Sequence, residues 1–132
     1  MYLLDTNIVS YWMRGDKKII DRIKAQSPAN LSLSSITLAE IWYGIEKSSI
    51  KKKERILKIN QISSLLKIYP FDELAAGKYA LIRTQLEKEG MLISERDTQI
   101  ASIAQANKLT VVTHNVKEFG RITKLKVEDW YI

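Results

Sequence analysis

Apolar positions in this chain fall into short runs separated by stretches with helical spacing. Tyr2-Leu3-Leu4 is a three-residue apolar run followed at once by Asp5-Thr6-Asn7. Such a run predicts a buried central strand, with Thr6 or Asn7 capping the helix after it. Ile8 to Met13 is mostly apolar and ends near Gly15, and Lys17 to Gln26 carries Ile19, Ile20 and Ile23 on one helical face. Leu31 and Leu33 alternate with serines, as in a short strand, and a helix then runs from Thr37 to about Lys47. Lys51 to Leu66 has Ile56, Ile59, Ile62 and Leu66 at helical spacing, and Ile68 to Phe71 reads as a strand or loop. Ala75, Tyr79, Ile82 and Leu86 mark a long amphipathic helix stopped by Gly90. After the apolar Met91-Leu92-Ile93 comes a helix from Ser94 to Asn107, with Ile100, Ile103 and Ala104 inward. The β-branched run Leu109 to Thr113 predicts a core strand, and Leu125 and Val127 an edge strand.

Strands alternating with helices imply an α/β fold of three layers: a central, mostly parallel sheet flanked by helices on both faces. No linker or internal repeat interrupts residues 1–132, so the expectation is one domain.

Composition then narrows the chemistry. The chain has no cysteine and one histidine, which removes thiolate metal sites, thiol nucleophiles and two-histidine acid/base pairs. Lys and Arg number 21 against 15 Asp and Glu, a net charge of +6 that favours polyanionic partners. No apolar stretch is long enough to span a membrane, and the first residues lack the features of a signal peptide. The expected location is the cytoplasm.

Ligands of open parallel sheets bind beyond the carboxyl ends of strands. Asp5 follows the first strand, Glu40 lies early in the helix after Leu31–Leu33, Asp97 early in the helix after Met91-Leu92-Ile93, and Asn115 just past Leu109–Thr113, with Glu118 one turn on. All are expected on one rim. Three carboxylates meeting there at roughly 5 Å would cost on the order of 3 kcal/mol per pair at an effective dielectric of about 20. Such a cluster keeps its charge only with a cation, and an oxygen-only donor set selects a hard ion such as Mg²⁺ or Mn²⁺. Beside a phosphodiester, that ion supports hydrolysis. Plainer readings stand alongside. Thr37-Leu38-Ala39-Glu40 matches a capping box, Ser94-Glu95-Arg96-Asp97 a related pattern, and Asp5-Thr6-Asn7 an Asx turn.

Four segments together resemble a known family. Leu3-Leu4-Asp5-Thr6-Asn7, Ile36 to Gly44 around Glu40, Asp97 to Ala104, and Val112 to Phe119 with trailing Leu125 and Trp130 are similar, in order and spacing, to the acidic motifs of PIN domains. Within them the likeness is to VapC-type ribonuclease toxins of type II toxin–antitoxin pairs. The resemblance implies a Mg²⁺- or Mn²⁺-dependent endoribonuclease that cleaves RNA with metal-activated water. It also implies neutralisation by a VapB-type antitoxin, homodimerisation, and contact with DNA only through the antitoxin. It makes Asp5, Glu40, Asp97 and Asn115 the catalytic set. Asp5 and Asp97 become the main metal ligands, Glu40 a direct or water-mediated ligand that orients the attacking water, and Asn115 the holder of a water on the metal. Thr6 and Thr113 become supporting hydrogen-bond partners. Two positions depart from the family pattern. Asn115 stands where Asp is frequent, which weakens the case for a second ion, and Glu118 either restores that charge or is an exposed surface residue. Ser94 stands where Gly is frequent, and a serine there can cap the helix.

The basic residues form three groups, around Lys17–Lys24, Lys51–Lys58 and Lys117–Lys126. Each reads as a solvated face or a binding patch. The third, with Lys117, Arg121, Lys124 and Lys126, follows Asn115 and is the best candidate for RNA phosphate contacts. Arg96 contacts phosphate or pairs with an acid, and His114 reads as a strand-end polar residue. Trp12, Met13, Trp42, Tyr43 and Ile45 belong to the core, or in part to an apolar groove for a partner helix, which the resemblance assigns to the antitoxin. Two other functions compete: a catalytically silent RNA- or partner-binding module, and a phosphoacceptor receiver domain, which needs a second acid beside Asp5 that the chain lacks.

Overall fold

The computed structural model describes all 132 residues. Strand β1 (Tyr2–Leu4) leads through helices α1 (Thr6–Met13) and α2 (Lys17–Lys24) to β2 (Leu31–Ser34). Helices α3 (Ser35–Glu46) and α4 (Lys52–Leu65) then connect to β3 (Lys67–Tyr69). Helices α5 (Glu73–Lys88) and α6 (Glu95–Ala106) return the chain to β4 (Thr110–Val112), and α7 (Val116–Phe119) precedes β5 (Val127–Glu128). The five strands are all parallel, in the order β3-β2-β1-β4-β5.

Connectivity and chain handedness explain the layers. The chain steps from β1 to β2 to β3 in one direction and then reverses to reach β4 on the other side of β1. Right-handed crossovers put the helices of the two directions on opposite faces. One core holds Ile8, Val9, Ile19, Ile41, Ile45, Ile59 and Ile62 from α1 to α4 against Leu4, Leu33 and Val112. The other holds Ala75, Ile82, Leu86, Ile100 and Ile103 from α5 and α6 against Leu3 and Val111. Adjacent residues of β1 and β4 thus serve different cores, as strand geometry requires. The alternation in β2 does not mark a solvated face: Ser32 and Ser34 are as buried as the leucines. Ser32 offsets its burial by donating to the Tyr2 carbonyl at 2.7 Å.

The element order matches the sequence expectation, with three local corrections. The first helix is capped by the Asp5 side chain, which accepts from the Ile8 N–H, and not by Thr6 or Asn7. Met91-Leu92-Ile93 forms no strand, because α5 and α6 are joined by a loop outside the sheet. The third helix starts at Ser35 with Ser34 as its cap, so the Thr37–Glu40 capping box does not form. The Ser34 hydroxyl, fully buried, takes the Thr37 N–H at 3.0 Å. Ser34→Ala should cost about 1–2 kcal/mol, because it strands that amide. A urea melt of the two proteins measures the difference.

Candidate active site

The reversal of strand order lies between β1 and β4, and their carboxyl ends open a crevice of the kind that binds ligands in open α/β sheets. Asp5 is the first residue past β1 and is 4% exposed. Its backbone N–H bonds to the Val112 carbonyl at 3.0 Å, which pins the residue against β4. One carboxylate oxygen accepts the Ile8 N–H at 3.0 Å, and the other accepts the Thr113 hydroxyl. That hydroxyl in turn accepts the Asn115 N–H at 2.9 Å. Thr113 therefore spends its one proton on Asp5 and a lone pair on Asn115, tying the ends of β1 and β4 into one unit.

The other acids arrive on helices. Glu40, one turn into α3, accepts from Thr6 at 2.7 Å and pairs with Arg96 at 3.3 Å. Thr6 also reaches the Thr37 hydroxyl at 3.2 Å. Asp97 lies in the first turn of α6, whose Ser94 cap takes the Asp97 N–H at 3.2 Å. The Asn115 amide donates to Asp97 at 3.5 Å, the long limit of a hydrogen bond, and to Glu118 at 3.0 Å. The four expected residues therefore meet on one rim. Ser94 acts as a cap, as its residue type suggested. Arg96 pairs with an acid.

Glu118 corrects the surface reading. It is half-buried, holds Asn115, and its charge bears on Asp97. The signal was present in the sequence, since Asn115 and Glu118 are three residues apart and share one side of a helical turn. His114 instead faces away, 3.0 Å from Asp129 and edge-on to Tyr131.

Electrostatics reports the crowding. Burial pushes the Asp5 carboxyl up from 3.8 to about 6, with Asp97 and Glu40 adding to the rise against the hydrogen bonds from Thr113 and Ile8. Burial also raises Asp97, and the charges of Glu118 and Glu40 add to it. No cationic side chain pairs with Asp5 or Asp97; Arg96 engages Glu40 alone. No three of these carboxylates close around a common point as they stand, with Glu40 turned toward Thr6 and Arg96. The donor set nevertheless fits a hard cation: every candidate atom is oxygen, and a buried carboxyl disfavoured as an anion gains from a positive ion.

The basic groups are distributed less simply than the sequence suggested. Lys117 lies on α7 beside the acids, whereas Lys124 and Lys126 precede β5 at the opposite end of the sheet. Arg14 stacks over Tyr11 at 5.0 Å. Of the aromatic set, Ile45 is buried and Tyr43 is exposed, while Trp12 and Met13 line a groove of about 330 Å³ with Lys58, Gln61, Ile62 and Leu65.

Comparison with known proteins agrees with this geometry. The PIN domain family matches residues 2–125. Ribonuclease VapC2 of Haemophilus influenzae is 38% identical over 130 residues, covering 98% of this chain and 97% of the relative. The chain belongs to the PIN-domain family, in its VapC group. This PIN domain is also 32% identical over 129 residues to the tRNA(fMet)-specific endonuclease VapC of Salmonella typhimurium, with 98% and 97% of the two chains covered. Its backbone superposes on VapBC2 from Rickettsia felis bound to a promoter DNA fragment with a TM-score of 0.90, at 37% identity and 98% coverage of both chains. The PIN strand order also displaces the receiver alternative, whose order is 2-1-3-4-5.

Proposed function

We propose that this chain is a Mg²⁺- or Mn²⁺-dependent endoribonuclease toxin restrained by a VapB-type antitoxin. The observation that carries the reading is the buried Asp5 carboxyl, without a cationic partner, beside Asp97 and Glu40 at the switch point of the sheet. Its relatives named ribonuclease or tRNA endonuclease supply the substrate class.

Asp5, Asp97 and Glu40 would hold the ion. When bound, it supplies an acidified water and charge neutralisation at the phosphoryl oxygens. The chain's own groups do the rest. Thr113 and the Ile8 amide fix both Asp5 oxygens, so this carboxylate loses little freedom on use. Asn115, held by Glu118, orients a water near Asp97. Glu40 gives up Arg96 and takes a proton from the water that attacks phosphorus; the P–O bond to the leaving ribose oxygen breaks, that oxygen ends protonated, and Arg96 is free to face a phosphate oxygen.

The groove between α1 and α4, walled by Trp12, Met13, Ile62 and Leu65, suits the apolar face of an antitoxin helix. Solved relatives include the VapBC2 complex of Rickettsia felis, which supports an antitoxin as the partner; the apolar lining is what points to this groove. No helix is long and apolar enough to cross a membrane. The reading includes a single functional domain, assembly as a homodimer, action in the cytoplasm, and DNA contact only through the antitoxin.

The test is direct. Purified protein should cut cellular RNA at mapped ends in Mg²⁺, stop in EDTA, and lose cutting in Asp97→Asn at an unchanged circular dichroism spectrum. Calorimetry should show Mn²⁺ binding that Asp97→Asn weakens at least tenfold. Unchanged RNA affinity with no Mn²⁺ heat and no cleavage would point instead to the silent RNA-binding module.

A further inference from the structure

At the end of the sheet opposite the acids lies a second cavity, of about 310 Å³, lined by Lys78, Lys108, Lys124 and Lys126 with Gln105 and Leu125 among its walls. No acidic residue lines it, and none of the four lysines is in an ion pair. All four side chains are exposed. Four like charges around one hollow repel one another, and the arrangement gains only when an anion neutralises it.

The backbone adds a second observation. Lys108 and Lys124 have φ of 55° and 65°, the left-handed region in which glycine or asparagine is favoured. Lys108 stands just past the end of α6, where the Leu109 N–H returns to the Ala104 carbonyl at 2.8 Å. Glycine normally occupies that place in such a helix ending. All three non-glycine residues with positive φ are lysines; Lys108 and Lys124 line this one cavity, and Lys51 precedes α4 elsewhere. Strained positions that carry the same charge into the same hollow are a mark of use.

We infer that this lysine cup is a second phosphate-binding site, which grips the backbone of a folded RNA away from the bond that is cut. The inference rests on the ribonuclease reading above. Helix α6 links the two places: Asp97 is in its first turn and Lys108 just beyond its last. At 1.5 Å per residue the separation is about 16 Å. The helical arm of a folded RNA spans that distance across the protein surface. A tetranucleotide centred on the acidic rim does not reach the cup. The lysines read no base, so they select RNA that is large and shaped rather than a sequence.

Binding of a hairpin RNA, followed by fluorescence anisotropy in EDTA across a salt series, tests this beside tetranucleotide cleavage in Mg²⁺. Lys108→Glu with Lys124→Glu should weaken hairpin binding about tenfold or more and flatten the log–log salt slope by about 2, while tetranucleotide cleavage stays at the parent rate. Lys78→Glu with Lys126→Glu, which leaves both strained turns intact, should do the same. Lys24→Glu with Lys53→Glu makes the same change in net charge on the opposite face and should have a much smaller effect. Equal losses from all three pairs, or no loss from either cup pair, overturn the inference and leave the nuclease reading standing. A parent protein that neither binds the hairpin nor cuts the tetranucleotide overturns both.

Discussion

Asp5→Asn is expected to remove RNA cleavage and, in the same protein, to raise stability at neutral pH. The two effects share one cause. Burial, with Asp97 and Glu40 adding, lifts the Asp5 carboxyl from 3.8 to about 6. A carboxyl whose folded value is raised favours the folded state while protonated, so its contribution is complete below pH 3.8 and is lost as pH rises to about 6. The total is about 3 kcal/mol. Without a divalent ion the parent should therefore lose stability across that window, and the variant, which keeps the raised Asp97, should lose less. Asparagine can still accept the Ile8 N–H as a cap. It cannot supply negative charge, so cleavage should fall about a thousandfold or more. Thermal melts in EDTA at pH 4 and pH 7, with RNA cleavage in Mg²⁺, measure both halves. A variant that cuts RNA like the parent sinks the assignment, and one less stable at pH 7 sinks the electrostatic account.

Trp130→Ala should be the most damaging single truncation for stability. Trp130 sits two residues from the C-terminal Ile132, yet it is fully buried. It packs edge-on against Tyr2 of β1, with ring centroids 5.0 Å apart, and Arg22 of α2 lies over its ring. Its indole N–H donates to Glu128 at 3.1 Å. The ring thus joins the first strand, the last strand and the second helix. Truncation should cost about 3–5 kcal/mol, a large share of the roughly 5–15 kcal/mol that holds a domain folded. Guanidinium unfolding followed by circular dichroism measures it. A loss under 1 kcal/mol would mean that the C-terminal segment is not part of the cooperative unit.

Both expectations concern residues whose types were legible and whose surroundings were not. The strand–helix alternation, the Gly90 stop and the inward face of Ile100, Ile103 and Ala104 all follow from local spacing, and the structure repeats them. The four acidic motifs and their order were equally plain. Local pattern misled where a distant partner outbid a near one. Glu40 had a capping partner in sequence at Thr37, but Ser34 took that role and freed Glu40 for Thr6 and Arg96. Met91-Leu92-Ile93 had the composition of a strand, but the direct packing of α5 on α6 leaves it as the turn between two helices, off the sheet. Glu118 looked like surface because a lone charged side chain is ordinarily solvated, whereas its neighbours in space are Asn115 and Asp97.

The chain's local order of apolar and polar residues was enough to establish a parallel α/β protein with oxygen donors at the ends of its elements. Periodicity and residue type act over a few positions, and a single chain records them in full. Whether those donors face one another depends on the reversal between β1 and β4 and on contacts such as Thr113 with Asp5, 108 residues apart. The gathering of Lys78, Lys108, Lys124 and Lys126 around one hollow has the same origin. Charge spacing along a chain carries no sign of it, because packing α5 against α6 and the last strand brings those positions together only in the folded molecule.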